Sequence, residues 1–262
     1  MSDWTVRAED TGAPLLDNDG EPIRELTPDS ADELLDKGES IAEMAAIEKA
    51  WRFGHVIVDE AQDLTPMQWR MVARRSRRGS MTIVGDLAQR SIGAPGAWTD
   101  HLPDTIAEPD YRELSINYRS PAEINDVAAG LLEELAPELS APRSIRSVGE
   151  RPRVVEVRDL ADELGRIAWG HHADDTDARI AVIGARPEEV SDIPNTQWLT
   201  PWQTKGLEFD VVVLAEPARI LAEEHGLSLL YVAVTRTTGR LTIAHHEPLP
   251  PVLVDALDSS AT

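Results

Sequence analysis

The sequence predicts an α/β fold with a parallel sheet, and three observations support this prediction. Segments with strand character alternate with segments of helical periodicity along most of the chain. Several strand segments, such as residues 210–214, are apolar on both faces, which is typical of strands buried inside a parallel sheet. The length of 262 residues and the hydrophobic content of 42% are enough for one large domain or two smaller ones.

The elements of the first part of the chain are predicted from periodicity and turn residues. Residues 1–27 are acidic and contain Gly and Pro, so we expect a flexible segment there. The elements that follow are a helix over Pro28–Phe53, a buried strand over His55–Val58, a short helix over Pro66–Arg75, a second buried strand over Met81–Val84 and a loop over residues 91–105. We place a domain boundary between this loop and Tyr111.

The second part of the chain is predicted to hold most of the sheet. The expected strands are Glu113–Asn117, Arg153–Val157, Arg179–Ile183, Thr196–Thr200, Asp210–Leu214 and Arg240–Ala244. The expected helices are Pro121–Leu135, Leu160–His171 and Leu227–Val234. The predicted organisation is therefore a flexible segment over 1–27, a first domain over 28–107 and a second domain over 108–262.

The composition excludes several classes of protein. The chain has no cysteine, which excludes a disulfide scaffold, a thiolate zinc site and a cysteine nucleophile. The apolar stretches are too short to span a membrane, and the acidic N-terminus does not have the character of a secretory signal. We therefore expect a cytoplasmic protein with no membrane partner, and no histidine spacing indicates a metal site.

The charge is strongly acidic, with 25 basic and 47 acidic residues and a formal net charge of −22. Residues 1–50 alone contain 14 acidic and 4 basic residues. Non-specific affinity for nucleic acid comes mainly from Lys and Arg side chains that neutralise phosphates. The charge therefore argues against nucleic-acid binding by this chain alone.

An acidic sequence, Asp59-Glu60-Ala61-Gln62-Asp63, directly follows the first predicted strand. In P-loop ATPases an acid at the carboxyl end of a buried strand holds Mg²⁺, and a neighbouring glutamate can polarise the attacking water. Asp59 fits the first role and Glu60 fits the second. Taken alone, the same residues are more typical of a solvated acidic turn that caps the next helix.

Four further segments follow this one in order. They are TIVGDLAQ at 82–89, INYRS at 116–120, WQTKGLEFDVVVL at 202–214 and LLYVAVTRT at 229–237. Together with VIVDEAQD at 56–63, they resemble motifs II to VI of the superfamily 1 helicases of the UvrD/Rep type. The resemblance implies two RecA-like lobes with ATP between them. Residues 28–107 would be the second part of the N-terminal lobe (1A), and residues 108–262 a complete C-terminal lobe (2A).

The resemblance also implies roles for individual residues. Gln89 would sense the γ-phosphate, Arg119 would reach that phosphate from the second lobe, and Arg236 would act as an arginine finger. The other implied contacts are those of Tyr118 near the adenine, Glu208 with the ribose, and Lys205 and Gly206 in the loop beside the nucleotide and the nucleic acid. The implied cofactor is ATP with Mg²⁺, and Asp59 is the expected metal ligand.

The phosphate-binding loop of these ATPases does not occur in the sequence, which contains no G-x-x-x-x-G-K-[ST] segment. We therefore predict that the chain alone hydrolyses no ATP and requires a P-loop-bearing N-terminal half as its partner. The chain is expected to be either a natural truncation or a fragment of a longer motor.

A narrower resemblance concerns the HelD-like branch, whose members act on RNA polymerase. The short spacing between motifs IV and V, the single Trp98 after motif III and the acidic composition support it. The alternative function is a degenerate helicase-like module that binds a protein partner such as RNA polymerase without hydrolysis. A cluster of arginines at 70, 74, 75, 77 and 78 either contacts phosphate or an acidic partner, or is a solvated face paired with the acidic N-terminus.

Overall fold

The computed structural model describes residues 52–90, 98, 102, 109–187 and 192–259. The predicted segment 1–27, most of the predicted helix Pro28–Phe53 and most of the predicted loop 91–105 lie outside these residues. The chain divides into two compact units, which are described separately. The described residues of the first unit are 52–58 and 66–83, and those of the second are 59–65, 84–90, 98, 102, 109–187 and 192–259. The predicted lobe boundaries stay a prediction.

The first unit is a short β–α–β arrangement. Strand β1 (Val56–Val58) pairs in parallel with β2 (Met81–Ile83), and helix α1 (Pro66–Ala73) lies between them in sequence. A parallel pair needs such a crossover because its two strands run in the same direction. The sequence predicted both strands and the helix, each within two residues of the observed ends.

The expectation that these two strands are buried is wrong in part. Val58 is buried, but the side chain of Ile57 is 73% exposed, and Val84 directly after β2 is also exposed. The physical reason is that successive side chains point to opposite faces of a strand, so Val58 is covered on one face of the pair while Ile57 faces solvent on the other.

The second unit contains a five-stranded parallel sheet, which confirms the predicted α/β class. Its strands are β5 (Arg153–Glu156), β6 (Ile180–Gly184), β7 (Thr196–Leu199), β8 (Phe209–Ala215) and β9 (Thr237–His245). Their spatial order is β5-β9-β8-β6-β7, and every adjacent pair is parallel. The central strand β8 is therefore flanked on both sides.

Helices cover both faces of this sheet, which explains why β8 is apolar on both faces. The helices of the unit are α2 (Ala122–Leu135), α3 (Leu160–Asp174), α4 (Pro217–Leu221), α5 (Gly226–Thr235) and α6 (Pro251–Ser259). Val212 and Leu214 of β8 pack in the same cluster as α2, α5 and α6. Val213 and Ala215 face the opposite cluster, which includes Leu164 and Ala168 of α3. The alternation of side chains along a strand thus supplies two cores.

Three short elements were not predicted from the sequence. They are strand β4 (Arg143–Ser144), helix α4 and helix α6. Strand β4 pairs in parallel with β3 (Ile116–Asn117), which is shorter than the predicted strand Glu113–Asn117, and Leu114 before it is 82% exposed. In the described part of the chain, no helix is long and apolar enough to span a membrane.

Candidate functional site

The two acids predicted to be catalytic lie in a turn that begins directly after β1. Asp59 and Glu60 are both exposed, and the Asp59 carboxylate accepts a hydrogen bond from the backbone N–H of Glu60 at 2.9 Å. Glu60 adopts a left-handed conformation with φ of 49°, which non-glycine residues rarely adopt. Residues Ala61–Asp63 then form a single 3-10 turn.

A series of hydrogen bonds joins Glu60 to residues of the next motif. Gln62 is buried, and its Nε2 donates to Glu60 Oε2 at 2.6 Å. The Oε1 of Gln62 accepts a hydrogen bond from the backbone N–H of Asp86 at 3.1 Å. The Asp86 side chain in turn accepts from Gln89 Nε2 at 2.8 Å, and it also caps the 3-10 turn Leu87–Gln89.

The series ends on Arg236, the predicted arginine finger. Arg236 Nη2 donates to Gln89 Oε1 at 2.7 Å, so Gln89 is bonded to Asp86 and Arg236 at once. Three of the residues with predicted catalytic roles, Glu60, Gln89 and Arg236, are therefore connected through side chains and one backbone amide. We call Glu60, Gln62, Asp86, Gln89 and Arg236 the relay.

Arg236 is the most buried charged member of the relay, with 4% of its surface exposed. Its hydrogen bonds go to neutral oxygens, namely those of Gln89, Thr235 and the backbone carbonyls of Val232 and Leu207. Burial lowers the pKa of this guanidinium, and the negative charge of Glu60 partly offsets that effect. A buried cation bonded to neutral groups is costly, and an anionic ligand would relieve the cost.

Lys205 is held by the turn that contains the acids. Its Nζ donates to both carboxylate oxygens of Asp63, at 2.7 and 2.8 Å, and to the backbone carbonyl of Gln89 at 3.1 Å. The same Nζ lies 5.5 Å from the centre of the Trp202 ring. The next residue, Gly206, has φ of 72°, which favours glycine at this turn. Lys205 therefore ties motif V to motifs II and III.

Two further predicted nucleotide contacts are bonded to each other. The Arg119 guanidinium forms an ion pair with the Glu208 carboxylate, and both side chains are partly exposed. Tyr118, the predicted adenine contact, directly precedes Arg119 in the sequence and is 73% exposed. Burial lowers the pKa of Arg236, and the positive charge of Arg119 lowers it further.

The predicted metal ligand has little support from neighbouring carboxylates. Among the described residues, no group of three or more His, Asp or Glu side chains is arranged to hold a metal ion. Asp59 is exposed and keeps carboxylate capacity beyond its bond to the Glu60 amide. The fit to Mg²⁺ is therefore that of a single carboxylate, which suits an ion that retains water and takes other ligands from phosphates.

The sequence did not identify four residues that organise the site. They are Gln62, Asp63, Asp86 and Ser228, whose hydroxyl donates to the backbone carbonyls of Ala88 at 3.1 Å and Arg90 at 2.9 Å. Gln62, Asp63 and Asp86 lie inside the motif segments 56–63 and 82–89, so their positions in those segments were the available signal. Ser228 lies just before motif VI and carries no such signal.

The arrangement has the components of a phosphate-responsive site. An exposed acid, a buried cation and a glutamine bonded to that cation form one hydrogen-bonded series, and a second cation, Lys205, donates to the backbone carbonyl of the same glutamine. A change in the charge beside Arg236 would alter its hydrogen bond to Gln89. Because Gln89 bonds to Asp86, and Asp86 bonds to Gln62, the hydrogen bonds of those two residues would change as well. The chemistry available is attack by a water molecule, polarised by the Glu60 carboxylate acting as a general base, on a group held by cations.

Comparison with known proteins identifies helicases. Residues 29–92 match the family of the UvrD/REP helicase N-terminal domain. DNA helicase IV of Escherichia coli strain K12 is 23% identical over an aligned length of 269 positions, gaps included. The alignment covers 86% of this chain. The chain spans 37% of the length of that relative.

Solved helicase structures show low overall similarity. The C-terminal domain of a possible DNA helicase from Lactobacillus plantarum WCFS1 has a TM-score of 0.40 and 19% identity, covering 53% of this chain and 94% of that one. The arterivirus nonstructural protein 10 helicase has a TM-score of 0.46 and 18% identity, covering 78% of this chain and 41% of that one. The family match and the curated relative together support a relationship of this chain to the UvrD-like helicases.

Proposed function

We propose that this chain is part of an ATP-dependent UvrD-like helicase or translocase and supplies side chains for hydrolysis between two RecA-like lobes. The observation that carries the proposal is the relay from Glu60 to Arg236. It joins a candidate water-polarising acid to a candidate arginine finger through Gln89, the candidate phosphate sensor. Three separate sequence motifs are coupled in this way.

The proposed cofactor is ATP with Mg²⁺. Arg236 would gain from a phosphate the charged partner that its present neutral acceptors do not provide, and Asp59 would hold the metal through its exposed carboxylate. The bound metal would neutralise charge on the phosphates. The remaining proposed nucleotide contacts are Tyr118, Arg119, Lys205, Gly206 and Glu208.

A P-loop-bearing segment is the proposed partner for hydrolysis, because the 262 residues contain no G-x-x-x-x-G-K-[ST] sequence. A P-loop supplies the lysine and the backbone N–H groups that hold the phosphates. With no such group, Glu60 has no positioned substrate. The chain alone is therefore proposed to be inactive.

The test is an ATPase assay of the chain alone and of the chain mixed with a separately produced P-loop segment of a UvrD-like helicase. We expect no Mg²⁺-dependent turnover from the chain alone above that of Glu60→Gln. We expect turnover from the mixture, reduced by about 10³-fold or more in Arg236→Ala because an arginine finger contributes that much. Arg166→Ala, on the exposed side of α3, is the matched control and should leave turnover unchanged.

Two results would contradict the proposal in different ways. Turnover by the chain alone, above the Glu60→Gln background, would refute the requirement for a P-loop partner. A mixture whose turnover is unaffected by both Glu60→Gln and Arg236→Ala would refute the proposed roles of the relay residues. Single-stranded DNA and RNA added to the mixture would show which nucleic acid, if either, stimulates turnover.

A narrower proposal is that the target is RNA polymerase, as in the HelD-like branch. It is supported by the net charge of −22, which suits a protein target better than naked nucleic acid. Size-exclusion chromatography of the chain with purified RNA polymerase core enzyme tests it. Co-elution that survives nuclease treatment is the expected result, and separate elution would refute the narrower proposal alone.

A second candidate function is a protein-binding module that does not hydrolyse ATP. The observation that favours it is that several candidate nucleotide contacts already have ionic partners within the chain, as Arg119 has in Glu208 and Lys205 has in Asp63. Titration of a fluorescent ATP analogue into the two-segment mixture distinguishes the functions. Saturable binding favours the motor, and no binding alongside a stable complex with RNA polymerase favours the module.

A further inference from the structure

Helix α1 of the first unit has an exposed face of unusual composition. Met67, Arg70, Met71 and Arg74 are spaced as successive neighbours on one side of a helix, and all four are exposed. The backbone N–H of Arg74 still bonds to the carbonyl of Arg70, so the helical spacing continues through Arg74. We call these four residues the Met-Arg face.

The opposite side of the same helix provides the contrast. Trp69 is buried, with 1% of its surface exposed, and Val72 and Ala73 are half-buried. The helix is therefore packed through Trp69, and its two methionines, 63% and 56% exposed, are not needed for that packing. A bound partner that covers these two methionines, one turn apart, would bury their apolar surface.

The chemistry of the face indicates the kind of partner. Methionine and arginine are enriched in the cores of protein interfaces, and flexible methionines adapt to the side chains of a docked helix. The arginines supply charge that an acidic surface would complement. Five of the 25 basic residues of the chain fall between positions 70 and 78, within a protein whose net charge is −22. Two of these five, Arg70 and Arg74, lie on the face, which is therefore basic within an acidic protein.

A nucleic acid is a poorer match than a protein. The thioether of methionine makes no strong hydrogen bond to phosphate, and the relevant arginines lie on a short helical face only about 10 Å long. Non-specific nucleic-acid binding also requires a broader basic surface than this acidic chain offers. A helix that carries leucines flanked by glutamates matches both the apolar and the charged components of the face.

We propose that the Met-Arg face binds an acidic amphipathic helix of a partner protein, with Met67 and Met71 as apolar anchors and Arg70 and Arg74 as charged contacts. This inference does not depend on ATP hydrolysis. It names a surface outside the relay, so it can fail while the proposed function holds, and the reverse is also possible.

The test is a fluorescence-polarisation titration of the full chain, without nucleotide, against a labelled synthetic peptide. The peptide is a helix with two leucines one turn apart, flanked on the same side by glutamates, and a scrambled peptide of equal composition is the reference. The variants are Met67→Ser with Met71→Ser, and Arg70→Ser with Arg74→Ser. The control variant replaces two arginines of the second unit that are exposed, Arg158→Ser with Arg166→Ser.

We expect saturable binding of the ordered peptide and weaker binding of the scrambled one. Each double variant on the face should weaken binding by about tenfold or more, because a few anchor residues at the centre of an interface carry most of the binding energy. The control variant should bind as the unchanged chain does. Far-UV circular dichroism verifies that each variant is folded.

Three results would overturn the inference. Equal binding of the ordered and scrambled peptides would show that charge alone acts. No detectable binding would show that the face does not recognise such a helix. If a labelled single-stranded oligonucleotide binds instead, and only the arginine variant weakens it while the methionine variant does not, the face is a phosphate-binding surface.

Discussion

At the scale of single residues, Gln62 is the most buried member of the relay. It is 1% exposed, and its amide bonds to Glu60 on one side and to the backbone of Asp86 on the other. A buried polar group that loses its partner costs about 1–3 kcal/mol. We expect Gln62→Ala to lower the free energy of unfolding by that amount, measured by urea denaturation.

The control for Gln62 is Gln197→Ala on β7. Gln197 is exposed, and exposed substitutions usually change stability by less than about 0.5 kcal/mol. Both variants remove the same side-chain atoms. Equal losses of stability at the two positions would contradict the idea that the amide of Gln62 supports the turn after β1.

The pair of Lys205 and Asp63 leads to a second residue-scale prediction. Its side chains are 17% and 28% exposed, whereas those of the surface pair Arg219 and Glu247 are 58% and 44% exposed. Exposed pairs typically contribute about 0–1 kcal/mol because water screens them. In double-mutant cycles with Lys205→Met and Asp63→Asn, we expect a larger coupling energy than in a cycle on the surface pair. Similar coupling in both cycles would refute the prediction.

At the scale of elements, the contact between α2 and α6 depends on Gly130. A Cβ atom built on Gly130 would lie 2.8 Å from both the Cα and the Cβ of Ala256, which is closer than such atoms approach. The two helices therefore meet at a position that has room only for glycine. A larger residue at position 130 of α2 would therefore push α6 away from α2.

The prediction from this contact uses two glycines in helices. Gly→Ala in a helix interior normally stabilises by about 0.5–1 kcal/mol. We expect that gain for Gly165→Ala in α3, where a Cβ would meet nothing within 4 Å. We expect Gly130→Ala to destabilise the protein instead, measured by the shift in thermal midpoint. If both variants raise the thermal midpoint, α6 can shift away from the new methyl group at position 130 at little cost in stability.

Elements with strong periodicity were predicted from the sequence, and elements that depend on tertiary contacts were not. The central strand β8 was predicted within one residue at each end because its apolar run is bounded by polar residues and turns. Strand β4 was missed because two residues carry no periodicity, and its pairing with β3 is a long-range contact. Helix α6 follows a Pro-rich stretch, and Leu253 and Ala256 fix it by burial.

The contacts among the predicted site residues could be anticipated from the sequence only in part. Glu60, Gln89 and Arg236 were selected from their motifs, and the hydrogen bonds bring them into one series. The connecting roles of Gln62 and Asp86 depend on how two turns approach each other, which sequence spacing does not specify. The ion pair of Arg119 with Glu208 was not expected either, since each had been assigned a separate contact with the nucleotide.

At the scale of the whole molecule, burial differs sharply between the five-stranded sheet and the two-stranded sheet of the first unit. In β6 and β8 nearly every residue is buried, and both strands are flanked by neighbours on each side. In the two-stranded sheet of the first unit, Val58 alone is buried and Ile57 is 73% exposed. Local opening costs least where few apolar contacts must be broken.

This contrast predicts the pattern of amide hydrogen exchange in the full chain. The amides of Ile180–Gly184 and Val211–Ala215 should exchange slowest, because opening them requires separation of both cores beside the five-stranded sheet. The amides of Val56–Val58 should exchange faster, although their sequence is just as apolar as that of β8. Mass spectrometry of peptic peptides measures both regions in one sample. Equal protection of the two strands would mean that β1 has partners beyond β2, and the acids that follow it would then be held more rigidly than the two-stranded pairing provides.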